Sequence, residues 1–443
     1  MKNFFRPSQN VSAAFLLLLS SSLMGQQQEA KLDAPTQPFG AAANTISSPV
    51  TIPAPWQGKV ERWLDLNSFN YGARYRSTFD ENGARSFDQG QQRLVADGKF
   101  KFDEKGRYGI GFHLSSGRYF NWAYADFIGG GQNDFVNNSF AKMTPFEQYI
   151  FTIAPTPAGF YNSGGGQLYL RQVFLAAEPV NGVKFAFGGF GINHGVNTEA
   201  TSYDDDGYMS GERVSLERPK QFWLSEVSYT RGYLGDLYTP NFFARGNRLS
   251  QSNYWQILGR KDFGKRFAVS ADYTFTRPEG APFYLKTTRE AILVDTRRSK
   301  AVDKVRFEAY QRINGGIYAP GFAFPDGKGF ALTLSRDFTH RFALDAGIAD
   351  IDPSYVNNLG VNVQAIILGL TTNGDQYGIG KRYFVRPTIR VGHDVSLVAA
   401  YSHLFGDATV APAGAVDAWN AQSLTAGFQF DIKQALFKEP RTK

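Results

Sequence analysis

Ionisable residues at short, regular spacing are where chemistry would show first, and in this chain of 443 residues they are mostly arginines and carboxylates. Arg74 and Arg76 stand two apart, Arg386 and Arg390 stand four apart with Thr388 between them, and Asp204, Asp205 and Asp206 are consecutive. Arginine stays charged at any working pH and grips carboxylate or phosphate with a planar fork, so a row of arginines suits the handling of anions. The five histidines, His113, His194, His340, His393 and His403, fall at no spacing that suits zinc. There is no cysteine, which excludes a disulfide framework, a thiolate metal site and a lipoprotein anchor. "FGGFGINHG" is glycine-rich but opens no helix, and neither a Gly-x-Ser-x-Gly elbow nor a phosphate-binding loop occurs. The residues therefore predict neither an enzyme nor a bound cofactor. A serine–histidine pair assembled across strands, as in a barrel hydrolase, is the remaining enzymatic alternative.

The elements that must position these charges repeat with a period of two. In "RFAVSADYTFT", Phe267, Val269, Ala271, Tyr273 and Phe275 alternate with Ala268, Ser270, Asp272, Thr274 and Thr276. The pattern returns in "YGIGFHL" (108–114), "RFALDAGIADI" (341–351), "VSLVAAY" (395–401) and "SLTAGFQFDI" (423–432). A period of two means strands with unlike faces. Charge recurs on the second face, strand after strand, without long helices to cover it. An apolar face against lipid and a polar face around a wet lumen satisfies that pattern, whereas a soluble sandwich core does not.

Aromatic residues make up 15% of the chain and glycines number 46, which suits strands and turns. Mean hydropathy is −0.32, and past the N-terminus no apolar run is long enough for a spanning helix. The net charge of +7 comes without a Lys/Arg cluster, so nucleic acid is not an expected partner. Tight connections are expected at 103–107, 178–182, 261–265, 336–340 and 391–394, and also near Gly232–Asp236 and Asp295–Lys304. Long connections, roughly 126–165, 195–220 and 352–375, lie at the opposite rim. The expected fold is all-β: a transmembrane antiparallel β-barrel of about 16 strands, with 14 or 18 as alternatives, short periplasmic turns and long extracellular loops.

Lys2 and Arg6 precede the apolar "SAAFLLLLSSSLMG", which reads as a signal peptide over residues 1–25. Residues 26–60, rich in Pro, Ala, Ser and Gln, read as a periplasmic linker, 61–432 as the barrel and 433–443 as a short tail.

On these grounds the chain resembles a Gram-negative outer-membrane porin over about residues 61–432. The likeness rests on the leader, the alternation, the turn and loop asymmetry, the absence of cysteine and the final aromatic strand. It departs from that pattern by running past Phe430 to "KQALFKEPRTK", so Phe428 and Phe430, or Phe437, would carry the insertion signal. The resemblance implies passive diffusion of small hydrophilic solutes, contact with outer-membrane lipid and assembly into a homotrimer. It also implies a third external loop folded into the barrel opposite a basic ladder. That loop is read here as 196–220, with Asp204, Asp205, Asp206 and Glu212 as constriction candidates and the loop at 126–165 as competitor. For Asp204–Asp206, a hard-cation site without EF-hand spacing and a solvated surface loop are the other readings. The inward positions expected to line the pore are Arg74, Arg76, Arg93, Lys99, Lys101, Arg306, Arg312, Arg386 and Arg390, with Asp97, Glu226, Asp272, Glu308, Asp345 and Asp431 opposing them. The basic excess predicts a mild preference for anions. A structural or adhesive barrel with a plugged lumen is the main non-transport alternative.

Overall fold

The computed structural model describes residues 60, 62–79, 85–116, 123–124, 168–198, 200–202, 208–217, 222–233, 242–243, 249–276, 285–296, 301–314, 328–351, 380–392, 394–405 and 422–436. Residues 1–59, which hold the expected leader and nearly all of the expected linker, Asp204–Asp206, the loops at 126–165 and 352–375 and Phe437 lie outside them.

The strands are β1 (Leu64–Phe79), β2 (Arg85–Lys101), β3 (Tyr108–Ser115), β4 (Ala123–Tyr124), β5 (Tyr169–Val180), β6 (Val183–Gly191), β7 (Tyr208–Leu216), β8 (Glu226–Tyr233) and β9 (Tyr254–Phe263). They continue as β10 (Phe267–Thr276), β11 (Leu285–Asp295), β12 (Lys304–Asn314), β13 (Lys328–Asp337), β14 (Phe342–Ile351), β15 (Gly380–Arg390), β16 (Val395–Leu404) and β17 (Gln422–Asp431), and a short helix, α1 (Ile432–Leu436), follows. Every pairing is antiparallel; apart from the short β4, which lies against β2 and leaves β3 to pair with β5, each strand pairs with its neighbours in the chain, and β1 closes the circuit on β17, from Tyr71↔Phe430 to Phe79↔Gln422. β4 is a two-residue piece against β2, so the closed circuit holds sixteen strands. Closure leaves no edge with unpaired backbone groups, which is the condition for crossing lipid with strands.

Alternation assigns the faces. Along β10 the even positions are buried on the inside, while Tyr273 is 41% exposed and Val269 and Phe275 are partly exposed outside. The outer belt continues through Ile257, Ile292, Phe307, Ile348, Leu397 and Phe428, all exposed. Aromatic contacts cap it at strand ends, Trp255 against Phe275 at one and Phe263 against Phe267 at the other. Among the described residues no element behind this belt buries it, and such a face suits the acyl region of a bilayer.

Short turns close one rim: 102–107, 181–182, 264–266, 338–341 and 391–394. Gly182 adopts φ 77, the left-handed conformation that an Asn-Gly hairpin turn requires. The expected connection at 295–304 is present as 296–303, but the one placed near Gly232–Asp236 is not. Residues 226–233 form β8 without a break, and the β7–β8 turn is 217–225, so 234–253 belongs to the opposite rim. The third long connection is accordingly 192–207 and not 196–220, because "YMSGERVSL" pairs on both sides as β7.

Candidate functional site: a lumen with an inserted segment

The third external connection leaves β6 and turns into the barrel. Gly195, at φ 62, makes the bend, and a Cβ there would stand 2.8 Å from Ser270 Oγ on the wall. From Asn193 to Thr201 the segment crosses the inner faces of five consecutive strands, β8 to β12, and bonds to each. Asn193 Nδ2 donates to Glu226 Oε1 at 2.7 Å and to Ser228 Oγ at 3.1 Å on β8. Gln256 Nε2 of β9 donates to the Asn193 carbonyl at 2.8 Å. The Val196 amide donates to Ser270 Oγ of β10 at 2.8 Å, and Arg289 Nε of β11 donates to the Thr201 carbonyl at 2.9 Å. Glu308 of β12 closes the series. Its carboxylate accepts from the Thr198 amide at 2.7 Å, Thr198 Oγ1 at 2.6 Å and Thr201 Oγ1 at 2.8 Å.

The wall beneath is shaped for a guest. Its inward residues include Ser228, Thr230, Ala268, Ser270, Thr274, Thr287 and Ala291, all buried and none larger than threonine. Val196 packs against Ala268 and Ala291, and Ala200 against Tyr310, Ala331, Ala349 and Phe384. Hydroxyls and small methyls supply both the space and the acceptors that an irregular backbone needs away from water. Arg289 is held in turn by Asp272 Oδ1 and Thr274 Oγ1, each at 3.0 Å. His194 lies among these cations: burial, with the charges of Arg289 and Arg213, lowers it to about 3, so the imidazole is neutral under ordinary conditions.

Two readings of individual residues are corrected here. Asp272 faces inward but does not line water, because the inserted segment covers it and its side chain is 1% exposed against Arg289. Glu212 belongs to no loop. It lies in β7 opposite Arg231 and shares the outward face with Val214. The "GERVSLERPK" stretch looks loop-like because Glu212 stands on the outward side of β7, where the alternation calls for an apolar residue.

The other expected positions stand on the inner face. Arg74 and Arg76 belong to β1, Arg93, Lys99 and Lys101 to β2, Arg306 to β12, Asp345 to β14, and Arg386 and Arg390 to β15. Arg312 occupies an inward register position on β12. Sequence reasoning missed Arg382, fully buried on β15, although it continues the two-residue spacing from Arg386 through Phe384. It also missed Arg289, whose partner Asp272 lies directly across the strand pair.

Most wall carboxylates are committed to partners. Asp97 bonds to His113 and accepts from Ser68 Oγ at 2.6 Å. Asp345 takes Arg386 at 2.7 Å, Asp337 takes Arg390 at 3.4 Å, and Asp262 takes Arg260 at 2.9 Å. Glu226 and Glu308 hold the inserted segment. Arg74, Arg76, Arg93, Lys99 and Lys101 stand on the facing strands β1 and β2, where Arg74 Nε donates to Gln91 Oε1 at 2.6 Å and Lys99 Nζ to the Gly106 carbonyl at 2.5 Å.

Ser68, Asp97 and His113 bring the elements of a hydrolytic triad together, but in the wrong order. The serine donates to the carboxylate, whereas nucleophile activation needs it on the imidazole. Among the described residues, no group of three or more His, Asp or Glu is arranged to hold a metal ion.

No protein-family model matches the chain, and no curated protein does. Among solved structures it is similar to OmpF of Salmonella typhi, solved with daunomycin, at 10% identity and TM-score 0.50, covering 86% of this chain and 99% of that one. A Rh. blastica porin variant (11% identity, TM-score 0.39, covering 83% and 99%) and a loop-deleted OmpT of Vibrio cholerae (10%, 0.43, covering 83% and 99%) also match. The first of these likenesses shows the fold. A closed sixteen-strand antiparallel barrel with an apolar outer belt is an outer-membrane architecture, and the fold is that of a porin.

Proposed function

We propose that the chain is an outer-membrane channel through which small hydrophilic solutes diffuse passively, with a mild preference for anions, and that it is not an enzyme. The observation that carries this reading is the division of the lumen. The segment 192–202 is pinned strand by strand to five of the sixteen strands, β8 to β12, and the facing strands β1 and β2 carry Arg74, Arg76, Arg93, Lys99 and Lys101. Solutes then pass between a neutral, hydroxyl-bearing loop and an arginine-bearing wall, with Asp204–Asp206 following the pinned segment as constriction candidates. A lumen of one sign concentrates counter-ions and biases passage towards them. Residues 1–25 serve as a leader, 26–60 as a periplasmic linker and 433–443 as a tail, and the barrel works as a homotrimer.

The test is single-channel recording in a planar bilayer under a salt gradient. Stepwise conductance with a reversal potential on the anion side is the expected result. Absence of conductance from folded barrels would favour a plugged structural barrel, and a cation-side potential would remove the anion preference.

A further inference from the structure

The outer wall meets one group that belongs to no strand. Phe242 and Phe243 lie in the connection between β8 and β9, with their ring centroids 5.7 Å apart. Phe242 rests on β6. A Cβ built on Gly189 would stand 2.4 Å from Phe242 Cδ2, so the ring fills the place that a side chain would otherwise take. Gly189 shares its face with Phe185 and Phe187, both exposed on the lipid side, whereas Phe190 beside it turns inward among Ile192, Met209 and Tyr254. The ring therefore lies outside the barrel. Phe243 is 72% exposed, more than any other large apolar side chain among the described residues.

We propose that Phe242 and Phe243 are an aromatic anchor by which the β8–β9 connection enters the outer leaflet: Phe242 is seated on Gly189 and Phe243 lies among lipid acyl chains. Continuity comes first. The pair extends the apolar belt upward from Phe185 and Phe187 on the same strand, and that belt already faces lipid. Depth comes second. Gly189 is six residues above Val183, where β6 starts. With strands rising ~3.3 Å per residue at a tilt of roughly 40°, it stands about 15 Å above the periplasmic end of β6, in the outer half of a belt about 25 Å tall. A ring seated there is level with acyl chains. Irregular backbone is not tolerated in hydrocarbon, so the main chain of the pair lies at the headgroup boundary and the rings reach down from it, as aromatic side chains at that boundary do.

The seat comes third. Only glycine leaves room for the ring at 189, and a larger residue there would push Phe242 off the wall while the β5–β6 and β6–β7 ladders stay paired. The upper end of β6 is thus held from both sides. Phe242 grips it outside, and Arg213 Nη2 donates to the Gly191 carbonyl inside at 2.6 Å, just before the chain turns into the lumen. The proposal rests on the barrel crossing a bilayer, not on what passes through it.

The chain has no cysteine, so one label reports one position. The full chain carrying Phe243→Cys, labelled with a polarity-sensitive dye and folded into phosphatidylcholine nanodiscs, should show the blue-shifted emission of an apolar medium. Lipids brominated on the upper acyl chain should quench that emission strongly and iodide in the buffer weakly, as for the same dye on Tyr273→Cys in the belt. Adding Gly189→Val to the labelled chain should shift the emission towards that of water while the barrel keeps its heat resistance. Gly189→Ala, whose Cβ already meets the ring, should give a smaller shift. Quenching by iodide and not by bromine would overturn the lipid contact. A label shielded from both quenchers would put protein over Phe243 and overturn it as well. Unchanged emission in folded Gly189→Val and Gly189→Ala barrels would overturn the seat on β6.

Discussion

Replacing Glu308 by alanine should free the inserted segment without unfolding the barrel. The carboxylate is fully buried on β12 and accepts three hydrogen bonds from Thr198 and Thr201, at 2.6 to 2.8 Å. Charge-assisted bonds of this kind contribute about 1.5–3 kcal/mol each, and the freed loop recovers part of that by bonding to lumen water. A net loss of about 3–5 kcal/mol in docking follows, which raises the undocked fraction by a factor of ~100 or more. The β11–β12 and β12–β13 ladders are untouched, so heat resistance of the barrel should change little. Single-channel recording should then show a larger or noisier open current, and a protease added to the outer side should cut near 196–207. Glu308→Gln keeps one acceptor oxygen and should show the milder form of both effects. Unchanged current and protease pattern in Glu308→Ala would refute the assignment of Glu308 as the anchor and, with it, the energetic account of the loop.

Three other outcomes follow from the same geometry. Val269→Arg, outward on β10, should cost about 2–4 kcal/mol in unfolding titrations if it meets the bilayer midplane. Ser270→Arg, one residue on, should leave the barrel folded but expel the segment, since Ser270 meets Gly195 and bonds to Val196. Arg74→Glu with Arg93→Glu should move the reversal potential towards cations, whereas Arg390→Glu, at the rim beside Asp337 and the His340 carbonyl, should move it less. His194 titrates at about 3 when docked against ~6.5 when free, so the undocked loop binds the extra proton. Docking is therefore at full strength above pH 6.5 and weakens as pH falls towards 3, and current noise should rise over that window in the native chain but not in His194→Gln.

The barrel was legible in the sequence because two solvents write it locally. A strand with lipid on one side and water on the other must alternate, and Phe267–Thr276 does so without a lapse. Inward arginines were legible for the same reason, since Arg386 shares parity with Thr388 and Arg390. Which inward residues are wet was not legible. Asp272 and Arg74 follow the same parity rule, yet one lies beneath a segment that arrives from some seventy residues away and the other does not. β7 escaped because its outward positions include Glu212, and lipid alone does not ask for a carboxylate there.

The inside and the outside of this barrel solve one electrostatic problem in two ways. On β11, Arg289 points inward, is fully buried, and is held by Asp272, Thr274 and the Thr201 carbonyl. Glu290, the next residue, points outward and is exposed, with Lys286 four residues away on the same face of the strand. A buried charge needs a partner with good geometry, and removing one member of such a pair costs more than the pair is worth. The inner charge is satisfied within the chain because a loop folds back to complete its shell. Among the described residues no segment reaches the outer side of β11, so no loop completes a shell around Glu290 as 192–202 does around Arg289. Arg289 and Glu290 thus give opposite forecasts for mutation in detergent. Arg289→Met should disturb current and loop docking while leaving native mass unchanged. Glu290→Gln should leave loop docking and single-channel current unchanged. If Glu290→Gln altered the current, the two faces of β11 would be coupled through the strand, and this separation of lumen from outer wall would fail.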